Sequence, residues 1–203
     1  MEELKDTYKT IDKPSEEILY KDRKSKFFGY VFPLSDASEV KPIIESLKKK
    51  HHTAGHVCYA WQLGSNPVTY RANDDGEPNN SAGMPIYGQI QSYQVTNVLV
   101  AVARIFGGTK LGVGGLISAY RTSAQLALEE AKIVEKIVSE QITIQFEYAD
   151  MDKVMRIVKQ HQLTMASQNL QENCKYTLLV RKSIANNIQN ILEQSHFIKV
   201  LEK

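Results

Sequence analysis

The sequence predicts an α+β protein of two domains, a larger one over residues 1–137 and a smaller, ferredoxin-like one over 138–203. Three observations carry that expectation. The 203 residues amount to about 1.4 domains of typical size. The last third alternates strand and helix signals in the order βαββαβ, the ferredoxin-like arrangement. Upstream of it, a near-continuous apolar run at 97–106 (NVLVAVARIF) leads into a glycine-rich turn and then a long helical stripe.

Taken in order, residues 1–24 are highly charged, with a strand or arm expected near 17–20. The segment 25–34 (SKFFGYVFPL) is aromatic and β-branched and reads as a strand ended by Pro33 and Ser35-Asp36. A helix is expected over Val40–Lys50, capped by Ser38 or a neighbour, because Pro42 is tolerable only in a first turn. His56–Leu63 alternates, so that Val57, Tyr59, Trp61 and Leu63 share one face and His56, Cys58, Ala60 and Gln62 the other. The run 97–106 suits a central strand covered on both faces. After the turn, Leu116, Tyr120, Ala124, Ala127, Ala131, Val134 and Val138 recur at steps of three and four, predicting one helix to about Val138. The tail then reads as strand 142–148, helix 151–162, strands 164–171 and 175–181, helix 184–195 and strand 197–201.

Composition bounds function. With 42% hydrophobic and 24% charged residues the chain can build a core. A net charge of +2 provides no global field for nucleic acid or anionic lipid, so any basic site must be local. Cys58 and Cys174 are too far apart in sequence for a zinc-knuckle pattern, and two cysteines are too few for a disulfide scaffold. The acidic N-terminal stretch lacks a signal-peptide pattern, and no segment is long and apolar enough to span a bilayer. A cytoplasmic location and no membrane partner are the expectations; oligomeric state is left open.

From position 78 to 128 there is no Asp or Glu, and the charges are Arg104, Lys110 and Arg121. Eight of the 11 glycines fall between Gly76 and Gly115. Such a segment suits an anion site made from backbone N–H groups, and it also suits a buried core that excludes charge, the commoner cause of such a pattern. Within it, the turn holding Gly107, Gly108, Lys110, Gly112, Gly114 and Gly115 opens a helix, so its amides and the helix dipole would favour an anion there. It does not match the phosphate-loop pattern, and its glycines also permit close strand–helix contact. Asp74, Asp75 and Glu77 crowd a Gly/Pro turn; they could hold Mg²⁺ or act as acid and base, or simply build the turn. His56 and Cys58, two apart on one strand face, could begin a metal site or a thiolate pair, but no second ligand pair follows and no metal is expected.

Several of these motifs, in this order, resemble the YigZ/Impact family: Asp74-Asp75-Gly76-Glu77-Pro78, Ser81-Ala82-Gly83-Met84-Pro85-Ile86, Thr96-Asn97, the stretch 104–116 (RIFGGTKLGVGGL), and the strand opening His56-Val57-Cys58-Tyr59-Ala60. The resemblance implies that the first domain has the fold of a small-subunit ribosomal protein domain, of ribonuclease PH and of domain IV of elongation factor G. It implies a tail similar to domain V of that factor. It further implies a role in translation, since eukaryotic relatives are translation regulators that bind the activator of an initiation-factor kinase. The module by which those relatives reach their partner has no counterpart in the short segment ahead of Ser25. Ser81 and Ile105 stand where the family often has Thr and Tyr.

Two functions follow as expectations. The first is a binding factor that regulates translation, contacting RNA, the ribosome or a translation factor through Arg104, Lys110, Arg121 and the glycine turn, with no cofactor. The alternative is a Mg²⁺-dependent enzyme on a phosphorylated or nucleotide substrate, with Asp74, Asp75 and Glu77 on the metal and His56 as acid or base. They differ in a geometric requirement: the carboxylates of an enzyme must face a shared space, whereas those of a structural turn face backbone amides.

Overall fold

The computed structural model describes residues 6–65, 67–171 and 173–201. The chain divides into two compact units, one over Tyr8–Lys136 and one formed from Ile137 onward together with the N-terminal residues through Thr7.

The first unit is built on a five-stranded antiparallel sheet of β2 (Ile18–Asp22), β3 (Ser25–Pro33), β4 (His56–Leu63), β5 (Thr69–Asn73) and β6 (Val98–Ile105), in the order β2-β3-β6-β4-β5. β6 lies at the centre, as its unbroken apolar run predicts. Its side chains alternate between two cores. Val98, Val100 and Val102 join Phe27, Val31, Cys58 and Ala60 beneath α2 (Gly83–Ser92) and α3 (Gly112–Glu130). Leu99, Ala101 and Ala103 meet Val40, Ile44 and Leu47 of α1 (Val40–Lys50) on the opposite face. A separate two-stranded sheet pairs β1 (Thr7–Ile11) with β7 (Ile133–Ile137).

Three expectations change here. The α3 stripe holds from Leu116 to Ala127, but the helix ends at Glu130, Ala131 turns extended, and Val134 lies in β7 instead of a last helical turn. The side-chain cap expected for α1 at Ser38 or a neighbour is made instead by Asp36 to the tight turn Ala37–Glu39 ahead of it, where it accepts from the Ser38 amide, and α1's own Glu39 makes none. Helix α2 was not expected, because Gly83, Pro85 and Gly88 mask it; Pro85 sits in the first turn, where its missing N–H leaves no hydrogen bond unmade.

In the second unit, β8 (Ser139–Glu147), β9 (Thr164–Asn169), β10 (Asn173–Arg181) and β11 (Lys199–Leu201) form an antiparallel sheet ordered β11-β8-β10-β9. With α4 (Met151–Gln160) and α5 (Lys182–Glu193) the element order is strand, helix, strand, strand, helix, strand. Ile142, Ile144 and Phe146 alternate on β8, as do Cys174, Tyr176, Leu178 and Val180 on β10, and they bury against Val154 and Val158 of α4 and Ile188 and Leu192 of α5. Asp6 belongs to this unit: its carboxylate accepts from the Ser183 amide at 2.8 Å and from the Ser183 hydroxyl at the start of α5. No helix among the described residues is long and apolar enough to cross a membrane.

Candidate functional site

The acidic turn after β5 is fully engaged in structure. Asp74 Oδ1 accepts from the amides of Ala82 at 3.0 Å and Gly83 at 2.8 Å, and its Oδ2 from Asn80 at 2.9 Å. Those amides lead into α2, so Asp74 caps that helix from across the loop. Asp75, held at φ +44°, accepts from the Val57 amide and from Lys48 Nζ, each at 2.7 Å. Its carbonyl lies 2.7 Å from His56 Nδ1, which therefore carries the hydrogen and donates. The Cys58 thiol donates to the Asp74 carbonyl at 3.0 Å, and burial pushes its pKa far above the range of a reactive thiolate.

Glu77 faces inward, away from Asp74 and Asp75. Its Oε1 accepts from Arg104 at 2.6 Å and from the Tyr120 hydroxyl at 2.8 Å, and all three residues are buried. Burial, with the Cys58 and Glu77 neighbours adding to it, raises the Tyr120 pKa, so this phenol stays a donor. The Arg104 guanidinium also sits 5.6 Å from the Phe27 ring centroid and 5.5 Å from that of Phe106. The arrangement corrects the expectation that Arg104 meets phosphate: its buried guanidinium is paired with a carboxylate and lies against two aromatic faces inside the protein. It equally corrects the expectation that Asp74, Asp75 and Glu77 share a ligand with His56, since their oxygens point at amides, a lysine and an arginine. Among the described residues no three His, Cys, Asp or Glu side chains are grouped to hold a metal.

The glycine-rich turn lies against the β2–β3 hairpin, which carries further exposed cations. A Cβ on Gly107 would stand 2.0 Å from the Lys24 carbonyl carbon, so only glycine allows this turn to lie against the β2–β3 hairpin. The Gly107 amide donates to Ser25 Oγ at 3.1 Å, fixing the contact. Gly108 (φ +88°) and Gly112 (φ +72°) take left-handed conformations, and the space over Gly108, Gly112 and Gly114 is open, whereas a Cβ on Gly115 would press on Leu111. Lys110 is exposed in this turn, and Phe106 and Val113 flank it, both about half exposed. Arg121 is exposed on the outer stripe of α3 with Gly114 and Ser118, but it lies nine residues beyond Gly112, roughly 13 Å along the axis, so it does not join the turn.

The hairpin itself is not apparent from the sequence. β2 and β3 join through Arg23 (φ +42°) and Lys24 (φ +66°), two left-handed residues at the centre of a two-residue turn. That conformation favours Asn-Gly and costs a β-carbon-bearing pair. Exposed Lys21 and Lys26 stand beside it, paired across the strands. The signal was present as the run 21–26 (KDRKSK), but the turn at 107–115 lies more than 80 positions away in sequence and only the fold brings the two together.

Comparison with known proteins places this chain in a family. The sequence model of the Impact N-terminal domain matches residues 23–128, just over half of the chain and a span that runs from the Arg23–Lys24 turn through the acidic turn and the glycine turn. YvyE of Bacillus subtilis, an IMPACT family member, is 31% identical over 80% of this chain and 75% of its own. YigZ of Escherichia coli, another, is 30% identical over 68% of this chain and 69% of its own. A crystal structure of a hypothetical protein shares the fold, with a TM-score of 0.70 and 23% identity over 98% of both chains. With one domain matched across half its length and relatives aligned well beyond that domain, this chain belongs to the Impact family.

Proposed function

We propose that this protein is a cytoplasmic, non-enzymatic factor that binds RNA of the translation machinery and regulates translation, using the face made by the β2–β3 hairpin and the 107–115 turn. The single observation that carries this reading is the Arg23–Lys24 turn. Two cations occupy positions whose backbone strain glycine would relieve, and strain retained at a site is a pointer to function. Around them stand Lys21, Lys26 and Lys110 and a turn with open backbone, which is how phosphate is met without sequence specificity. Arg121 extends the same role along the outer stripe of α3. Membership of the Impact family supports the tie to translation, and part of this proposal is that the two units have the fold types of domains IV and V of elongation factor G, the second ferredoxin-like. A Mg²⁺-dependent reaction fits less well, because Asp74, Asp75 and Glu77 are engaged elsewhere.

The test is a salt titration of RNA or ribosomal-subunit binding. Replacing the turn by the residues its backbone prefers, Arg23→Asn with Lys24→Gly, should weaken binding and lower the salt slope by about two, while Lys110→Ala lowers it by about one. The same double substitution should raise stability by about 1 kcal/mol or more in urea unfolding, since it relieves two left-handed side chains. A variant that is more stable yet binds with unchanged affinity and slope overturns the proposal.

A further inference from the structure

The opposite face of the first sheet carries a second concavity. Between α1 and strands β4 and β5 lies a groove of about 430 Å³. Its floor is formed by Tyr59 and Trp61, alternate residues of β4, with Asn73 and Arg71 of β5 directly across the ladder. Both aromatic rings are half-buried, seated on the α1-side core and open toward the groove. Lys41 and Lys48 of α1 form the facing wall, and Lys41 and Arg71 are exposed. Two acids line the groove. Asp75 has both carboxylate oxygens occupied, by Lys48 Nζ and by the Val57 amide, which leaves Glu45.

We infer that this groove binds single-stranded RNA, bases stacking on Trp61 and Tyr59 while Arg71 and Lys41 take the phosphates. Two residues apart on one strand, the two side chains leave the backbone about 6.8 Å apart, a step that successive nucleotides of an extended strand can match. A row of aromatic faces flanked by cations is the recurring platform for unpaired bases, since every base has a π-face and the backbone needs only diffuse positive charge. A duplex cannot use it, because its bases already stack on one another. An extended peptide added to edge strand β5 would gain little from two flat rings and two cations on the groove side of the sheet. The choice of RNA over other single strands rests on the proposed function; the groove itself uses none of the hairpin residues.

Trp61 is the chain's single tryptophan, so its emission reports on the groove directly. Titration of the whole protein with a ten-nucleotide oligouridine should quench Trp61 saturably, whereas the same RNA annealed to a complementary strand should leave the emission unchanged. By anisotropy of a labelled oligouridine, Trp61→Leu should weaken binding by about 5- to 150-fold, the loss of one stacked base, and Trp61→Phe should restore most of it. Arg71→Glu, an exposed change that leaves the floor in place, should weaken binding and lower the salt slope. No quench at saturating oligouridine, equal quench by the duplex, or unchanged affinity in both Trp61→Leu and Arg71→Glu overturns the inference, as does quenching by an uncharged extended peptide in place of RNA. The two surfaces separate cleanly. If Arg23→Asn with Lys24→Gly abolishes RNA binding while Trp61 never responds in the parent, the groove fails and the hairpin stands. If the quench survives that double substitution and the affinity and salt slope of ribosomal-subunit binding are also unchanged by it, the hairpin fails and the groove stands.

Discussion

Tyr30 is buried on β3, yet its hydroxyl meets two ionisable groups: it donates to Glu17 and lies 2.5 Å from His51 Nε2. Because the hydroxyl hydrogen goes to the carboxylate, the oxygen accepts from His51, and the neutral imidazole carries its hydrogen on Nε2. Burial lowers the His51 pKa below its ordinary 6.5, with Lys50 adding to the effect against the pull of Glu17. For Glu17, burial opposes ionisation, but the hydrogen bonds from Tyr30 and Lys50 outweigh it and hold the carboxyl below its ordinary 4.5. Both groups therefore bind fewer protons folded than unfolded, so stability must rise with pH. The His51 contribution is complete above pH 6.5 and is lost as pH falls below it, while that of Glu17 is lost only below 4.5. Urea midpoints measured from pH 7.5 down to 5 should fall, and in His51→Gln that decline should flatten. An equal decline in the variant would show that other groups set the slope.

At the scale of elements, two helices share a device that local sequence rules do not reveal. α2 is preceded by Ala82 and α5 by Arg181, and neither side chain caps its helix. Aspartates from elsewhere in the chain take their place: Asp74 for α2 and Asp6 for α5. Strands β3, β4 and β6 were legible because apolar alternation or an unbroken apolar run survives any tertiary context. α2 was not, since its start signal lies nine residues upstream of Gly83 inside an acidic cluster that also resembles a metal site. The same distance problem hid the site. Arg104 in a glycine-rich, acid-free span looks like an anion ligand until the fold brings Glu77 to it, and Lys24 looks like generic surface until Gly107 closes on it. Asp74→Ala should leave the Asn80, Ala82 and Gly83 amides without their acceptor, a loss of about 1–2 kcal/mol, or roughly 2–8 °C in melting temperature. Asp74→Asn, which keeps an acceptor oxygen, should recover part of it. A melting temperature unmoved by Asp74→Ala would mean that water satisfies those amides equally well.

For the molecule as a whole, near-neutral net charge conceals local use of charge: Asp6 and Asp74 cap helices and Glu77 is buried against Arg104, while Lys21, Arg23, Lys24, Lys26 and Lys110 are exposed on the hairpin and in the glycine turn. The two units have separate cores, and the boundary near residue 137 expected from sequence treats each as a continuous stretch. The chain does not run so simply, because Asp6 is contacted by Val138 and Ser183, residues more than 130 positions later. The N-terminal end thus helps to fold the C-terminal unit. Asp6→Ala should raise amide exchange in the first turn of α5 by about 5-fold, the effect of removing a cap of about 1 kcal/mol. Exchange in α2 and α3 should not change, because the Asp74 cap of α2 and the packing of both helices lie within the other unit. Native-state hydrogen exchange resolved by residue makes the comparison in one sample. Faster exchange in both units would mean that Asp6 supports the whole fold, and no change in α5 would mean that the Ser183 amide finds its partner in solvent.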